Sequence, residues 1–180
     1  MNVGPVRRQF TLPARLLHWV MAAMVVSMLF IGVSMVASLA NYHTLVSVHR
    51  PLGIAILVLV VVRFVVRKIG PLPPFLATMS ARERRWATGS ERTLYALMFV
   101  LPLVGWGMLS AARMPIVMWG AWHLPPILPH SAWLYAVLRK LHTALAYLLF
   151  ATFTAHLATV LFHTLVTRDG LLRRMLPWKA

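Results

Sequence analysis

The chain contains no cysteine. Disulfides, iron–sulfur clusters and the C-x-x-C-H attachment of c-type haem are therefore excluded. Acidic residues are almost as scarce: Glu83, Glu91 and Asp169 are the only three, against eighteen Lys and Arg. None of the three falls within an apolar run, which argues against a carrier that moves protons on buried carboxylates. No repeat of fixed period is visible, and 180 residues leave no room for a second domain of ordinary size. No side-chain nucleophile stands in a recognisable catalytic setting.

What the chain does have is apolar length. Hydrophobic residues make up 60% of it, and its mean hydropathy is +0.76, too apolar for an ordinary soluble domain. The net charge of +15 invites comparison with nucleic-acid-binding proteins. The charges flank apolar runs instead of forming one patch, so no nucleic-acid partner is expected. The pattern predicts four helices, at about residues 15–39, 47–67, 91–112 and 134–167, in one membrane domain covering 1–180. The basic start and the small residues Ser38-Leu39-Ala40 also suit a cleaved leader. The first run is longer than a leader core and three more follow, so it is read as a span. Pro51 is expected in the first turn of helix two, where a missing N–H is tolerated. Pro102 is expected to kink helix three, and Gly105 and Gly107 suit helix packing or close approach of a flat group. The long connection near residues 114–132 is expected to be irregular, and Trp119, Trp122 and Trp133 in and beside it suit a membrane interface.

The fourth run, KLHTALAYLLFATFTAHLATVLFHT, holds His142, His156 and His163. His142 and His156 are fourteen residues apart, which places them on one helix face about 21 Å apart along the axis. A bilayer core is about 30 Å thick, so one helix can present an imidazole near each side. Ionisable groups inside a span are costly and mark function, and neutral imidazole is a common iron ligand.

Charge bias sets the direction. With both termini on one side, fourteen of the eighteen Lys and Arg fall on that side, including Arg7, Arg8, Arg15 and Lys179; Arg50, Arg113, Arg139 and Lys140 fall on the other. The positive-inside rule then predicts cytoplasmic termini. His18 and His156 lie at the inner depth, and His49 and His142 at the outer. The expected pairs, His18 with His156 and His49 with His142, would each ligate one haem b between helices. The plainer alternative is that each histidine packs in a polar interior. His43, His123 and His130 are expected in outer loops, solvated. His163, two turns past His156, is either an interfacial residue or a proton-exchanging group at a quinone site. Arg50, Arg139 and Lys140 are interfacial anchors, or they neutralise outer propionates and attract a small anion. Arg15 is a candidate for the inner propionate role. Gly53, four residues after His49, would let a haem ring lie close to helix two.

With those residues in place the chain resembles the bacterial cytochrome b561 family. The resemblance rests on LLHWVMA at His18, VHRPLGIAILVLVVVR at His49, YALMFVLPLVGWGM in helix three, KLHTALAYLLF at His142, AHLATVLFHTLV at His156 and His163, and the closing DGLLRRMLP. It implies an all-α integral membrane four-helix bundle with His18, His49, His142 and His156 as axial ligands of two haem b, multi-pass in the bacterial inner membrane. Within the family the chain is most similar to the small stand-alone superoxide oxidases. That likeness implies superoxide as periplasmic electron donor, steered by Arg50, Arg139 and Lys140, ubiquinone as acceptor near the cytoplasmic side, and His163 as a quinone contact. One departure is visible. That branch has histidines where helix three begins, and this chain has WATGSERTLY, with Thr88 or Glu91 on that ground. Membrane lipid, quinone and superoxide are the expected partners, with no obligate protein partner. The rivals are a cytochrome b subunit serving a dehydrogenase or hydrogenase, and a haem-free scaffold or small transporter.

Overall fold

The computed structural model describes residues 9–118, 120 and 122–178. Arg7, Arg8, Lys179 and Trp119, counted above among flanking charges and interface aromatics, lie outside these. Four long helices dominate: α1 (Leu12–Ala37), α2 (Tyr42–Ile69), α3 (Ala81–Ala111) and α4 (Ala132–Phe162). Hydrogen bonds between their ends fix an up-down-up-down order. Arg63 near the end of α2 meets His18 near the start of α1, and Arg67 meets Glu91 near the start of α3. Ser131 N–H, just before α4, donates to the Ala111 carbonyl at the end of α3. Sequential neighbours pack closely, while α4 makes only slight backbone contact with α1 or α2.

α1, α3 and the helical stretch 132–167 are each long and apolar enough to cross a membrane. α2 matches them in length and lies antiparallel between α1 and α3. Apolar side chains point outward as often as inward: Phe30, Val33 and Val36 are 71%, 64% and 86% exposed. Eleven apolar residues are buried among those described, and Leu149 is the one buried residue of α4. A surface of this kind is stable only against lipid, since in water it would be a large exposed apolar patch.

Two helix starts differ from the sequence expectation. α2 begins at Tyr42, not near residue 47, so Pro51 lies inside the helix and its first turn is elsewhere. The missing N–H leaves the Ser47 carbonyl without its helical donor, two residues before His49. α3 begins at Ala81, ten residues before the expected start at 91. Hydropathy misses this polar extension, but local chemistry specifies it. Ser80 accepts from Glu83 N–H, and the Glu83 carboxylate accepts from Ser80 N–H, a reciprocal capping box. Pro102 sits inside α3 as expected.

The connection between α3 and α4 is more ordered than its composition suggests. Val117–Met118 pairs antiparallel with Trp122–His123, and Gly120 turns between them with φ +82°. Ile116 and Met118 pack on Leu109 to close the end of the bundle opposite the termini. His43 is helical, in the first turn of α2, and not in a loop. His130 lies beyond the hairpin, and its Nδ1 is 2.8 Å from the Ala111 carbonyl, so it caps α3 as well as facing solvent.

α4 ends in a π-helical turn, His163–Thr167, followed by left-handed Arg168 and a short 3-10 turn, Leu172–Arg174. The tail then folds back on α1. Arg15 Nη1 donates to the Leu176 carbonyl at 2.8 Å, Trp19 Nε1 to the Met175 carbonyl at 2.8 Å, and Gln9 Nε2 to the Arg173 carbonyl at 3.0 Å. Arg174 also donates to the Pro74 carbonyl. Carbonyls that follow a helix end need partners, and here the amino-terminal segment supplies them. The capping box gives a direct check on the α3 extension. Ser80→Ala is expected to cost about 1 kcal/mol, seen as faster amide exchange over residues 81–86 with residues 95–110 unchanged. Unaltered exchange at 81–86 would contradict that role.

Candidate functional site

The structure brings together both expected histidine pairs. The His18 and His156 rings lie 6.5 Å apart between centroids, and the His49 and His142 rings 6.3 Å, each pair at 64°. All four are half-buried. They bridge the seams where α4 stands off α1 and α2. The separation is too wide for stacking contact, and it has a simple chemical meaning. Two metal–imidazole bonds of about 2 Å, in line through one metal, put the ring centres about 6 Å apart. Among the described residues no group of three or more His, Asp or Glu is placed to hold a metal ion. Pairs with no third protein ligand suit a metal that brings its own equatorial ligands, as iron in a porphyrin does.

His142 is positioned by a glycine. A Cβ on Gly105 of α3 would stand 3.2 Å from His142 Cε1 and 3.4 Å from its Nδ1, so the ring needs that clearance. Gly53 is less constrained, since a Cβ there would meet only Met28 Cε, at 3.7 Å. The Nδ1 atoms of His49 and His142 are buried without a hydrogen-bond partner. Unpaired buried polar atoms cost about 1–3 kcal/mol each, and in native folds they call for a functional explanation.

The remaining candidates divide by location. Arg50 lines a recess in the first half of α2 with Pro51, Ala55, Val117 and Gly120, and its Nε is buried without a partner. Arg139 and Lys140 are exposed on α4 beside His142. Arg15 is buried, and its Nη1 is shared between Leu176 and the Gln9 side chain, at 2.8 and 3.0 Å. His163 is 4% exposed, and its Nδ1 lies 2.5 Å from Asp169 Oδ2.

Two participants were not legible as such. Asp169, read only as a flanking acid, orients His163. Burial opposes its ionisation, but the His163 hydrogen bond and the Leu171 N–H together hold its carboxyl below the ordinary value. Arg63, read as a flanking cation, has Nη2 3.0 Å from His18 Nδ1 and donates from Nε to Tyr95 Oη at 2.9 Å. Glu91, considered for the ground that histidines hold in similar chains, is committed to Arg67 at 2.6 Å. Thr88 donates to the Arg84 carbonyl within its own helix.

Comparison with known proteins bears on this geometry. A family model described as prokaryotic cytochrome b561 matches residues 9–178. Cytochrome b561 homolog 2 of Escherichia coli (strain K12) is 28% identical over 162 residues, covering 88% of this chain and 86% of that protein. A Yersinia pestis protein named probable superoxide oxidase CybB is 29% identical over 136 residues, covering 73% of this chain and 74% of that one.

The Gly105 contact predicts a selective defect. Gly105→Val is expected to displace the His142 ring and lower the haem content of purified protein toward half, while Gly53→Ala leaves it unchanged. Full haem content in the valine variant would show that the clearance is not needed.

Proposed function

The chain belongs to the prokaryotic cytochrome b561 family of membrane haem b electron-transfer proteins, and from that premise we propose that it is a di-haem oxidoreductase passing electrons from periplasmic superoxide across the inner membrane to ubiquinone. The observation that carries this reading is the pair of imidazole couples at two depths, held by one helix against two others. His18 and His156 would hold one haem b, and His49 and His142 the other. Haem b supplies reversible one-electron exchange at iron, with a potential set by its axial ligands and surroundings. The reaction balances as two superoxide anions and two protons with one quinone, giving two dioxygen molecules and one quinol.

The side chains contribute positioning and charge. Arg50, Arg139 and Lys140 form a cationic outer end near the His49–His142 couple, and a field of that sign raises the encounter rate of a small anion. At the other end the balance requires protons. Asp169 holds the Nδ1 of His163, which fixes the ring and makes this buried couple a candidate for delivering a proton to bound quinone. The excess of Lys and Arg at the terminal end supports cytoplasmic termini. All four helices would span, α2 included, since it runs the length of its neighbours. The name of the Yersinia pestis relative supports the choice of donor.

A direct test uses purified protein with a superoxide-generating system and a soluble ubiquinone analogue, following haem reduction and quinol formation. Two superoxide anions should be consumed per quinol. Replacing Arg139 and Lys140 together by Gln should slow haem reduction roughly tenfold at low salt and flatten its ionic-strength dependence. Haems inert to superoxide, but reduced once a soluble dehydrogenase is added, would instead identify an electron-carrying subunit.

A further inference from the structure

One cation beside the inner histidine couple has no part in the function proposed above. Arg63 Nη2 lies 3.0 Å from His18 Nδ1, and its Nε donates to Tyr95 Oη at 2.9 Å. A guanidinium has only donors, so in this contact His18 Nδ1 must accept. That leaves Nε2 free to face His156. An imidazole that binds iron through Nε2 has committed that lone pair to the metal, and as a neutral ring it carries its proton on Nδ1. Arg63 and His18 would then present two N–H donors to each other at 3.0 Å. The contact seen here and a neutral Nε2-ligated His18 are mutually exclusive.

Resting on the di-haem reading, we propose that Arg63 is the carboxylate anchor of the inner haem, released from His18 when that haem is bound. The guanidinium loses an acceptor at His18 and needs another. Haem b brings its own, the propionates, and arginine–carboxylate bonds are among the stronger charge-assisted ones. Tyr95 Oη retains Nε and keeps the head group at this depth. Arg63 and Tyr95 also line a narrow cleft with Phe10, Ala14, Val66 and Met175.

Arg15, the sequence candidate for this role, has a buried Nε without a partner, but its other end is already committed. Its Nη1 ties Gln9 and the Leu176 carbonyl together, so withdrawing it would loosen the tail from α1. The outer couple shows no such conflict, because no cation stands on His49 Nδ1 or His142 Nδ1.

The experiment uses the full chain carrying His142→Ala, which leaves the inner site as the one bis-histidine position, and follows transfer of haem to excess apomyoglobin. Arg63→Gln should speed haem loss roughly tenfold, the size expected for one charge-assisted hydrogen bond. Arg63→Lys should fall between, and Arg15→Gln should match the parent. The parent and Arg63→Gln chains are then loaded with haem dimethyl ester, whose propionates cannot accept a charged pair. Their loss rates should now coincide. A difference that persists with the ester would mean that Arg63 acts through the His18 ring, and equal rates with ordinary haem would mean that it anchors nothing. Either result overturns the proposal. Haem content unchanged on adding His18→Ala to this background would overturn the di-haem reading itself, and is visible before any rate is measured.

Discussion

The fold turns on one geometric constraint, that a single helix hold two imidazoles fourteen residues apart and meet a partner at each depth. α4 packs along α3, yet Leu149 is its one fully buried residue. It stands off α1 and α2 at the seams where His18, His49, His142 and His156 face one another. In a bilayer the outward apolar faces gain little from helix association, because lipid tails are as apolar as leucine. Polar groups that need partners therefore weigh more, and the four half-buried rings are among them. Bound haem would fill the seams and tie α4 to the other helices, so cofactor binding and bundle closure would be one event.

The two ends of the bundle are built differently. At the end that carries the termini, arginines, carboxylates and a folded-back tail are knitted together: Arg15 with Leu176, Arg63 with Tyr95, Arg67 with Glu91, and His163 with Asp169. At the opposite end a small hairpin closes over Leu109, Arg50 lines an open recess, and acidic residues are absent from the described chain there. Such asymmetry suits a protein that would receive a small anion on one side and supply protons on the other. On the proposed function, carboxylates confined to the terminal end, one of them held against a buried histidine, would mark the proton-handling side.

Much of this was legible in the sequence because it rests on two periods and a charge count. Helical spacing put His142 and His156 on one stripe, and span order with charge bias gave the pairing that the rings adopt. Helix boundaries were less legible wherever polar chemistry sets them. The α3 start was missed because ARERRWATGSER is not apolar, although Ser80 and Glu83 stand at capping-box spacing. The tail contacts could not be read at all, since Arg15, Trp19 and Gln9 bond backbone carbonyls over 150 residues away, and a carbonyl acceptor has no sequence signature. Arg63 was visible as a flanking cation only, and Gly105 as a position for helix packing or close approach without the partner it serves. Their roles arise from register between helices, which places one guanidinium on His18 and one missing Cβ beside His142.

The central claim is that the two imidazole couples are two haem sites, and the ratio of haem to polypeptide tests it most directly. The account predicts two haem b per chain in detergent-purified protein, with His18→Ala and His142→Ala each losing one. A ratio of one, or a variant that keeps both, would contradict the pairing and with it the path for electrons across the membrane. A protein without haem would leave the helical bundle standing and the function proposed for it refuted.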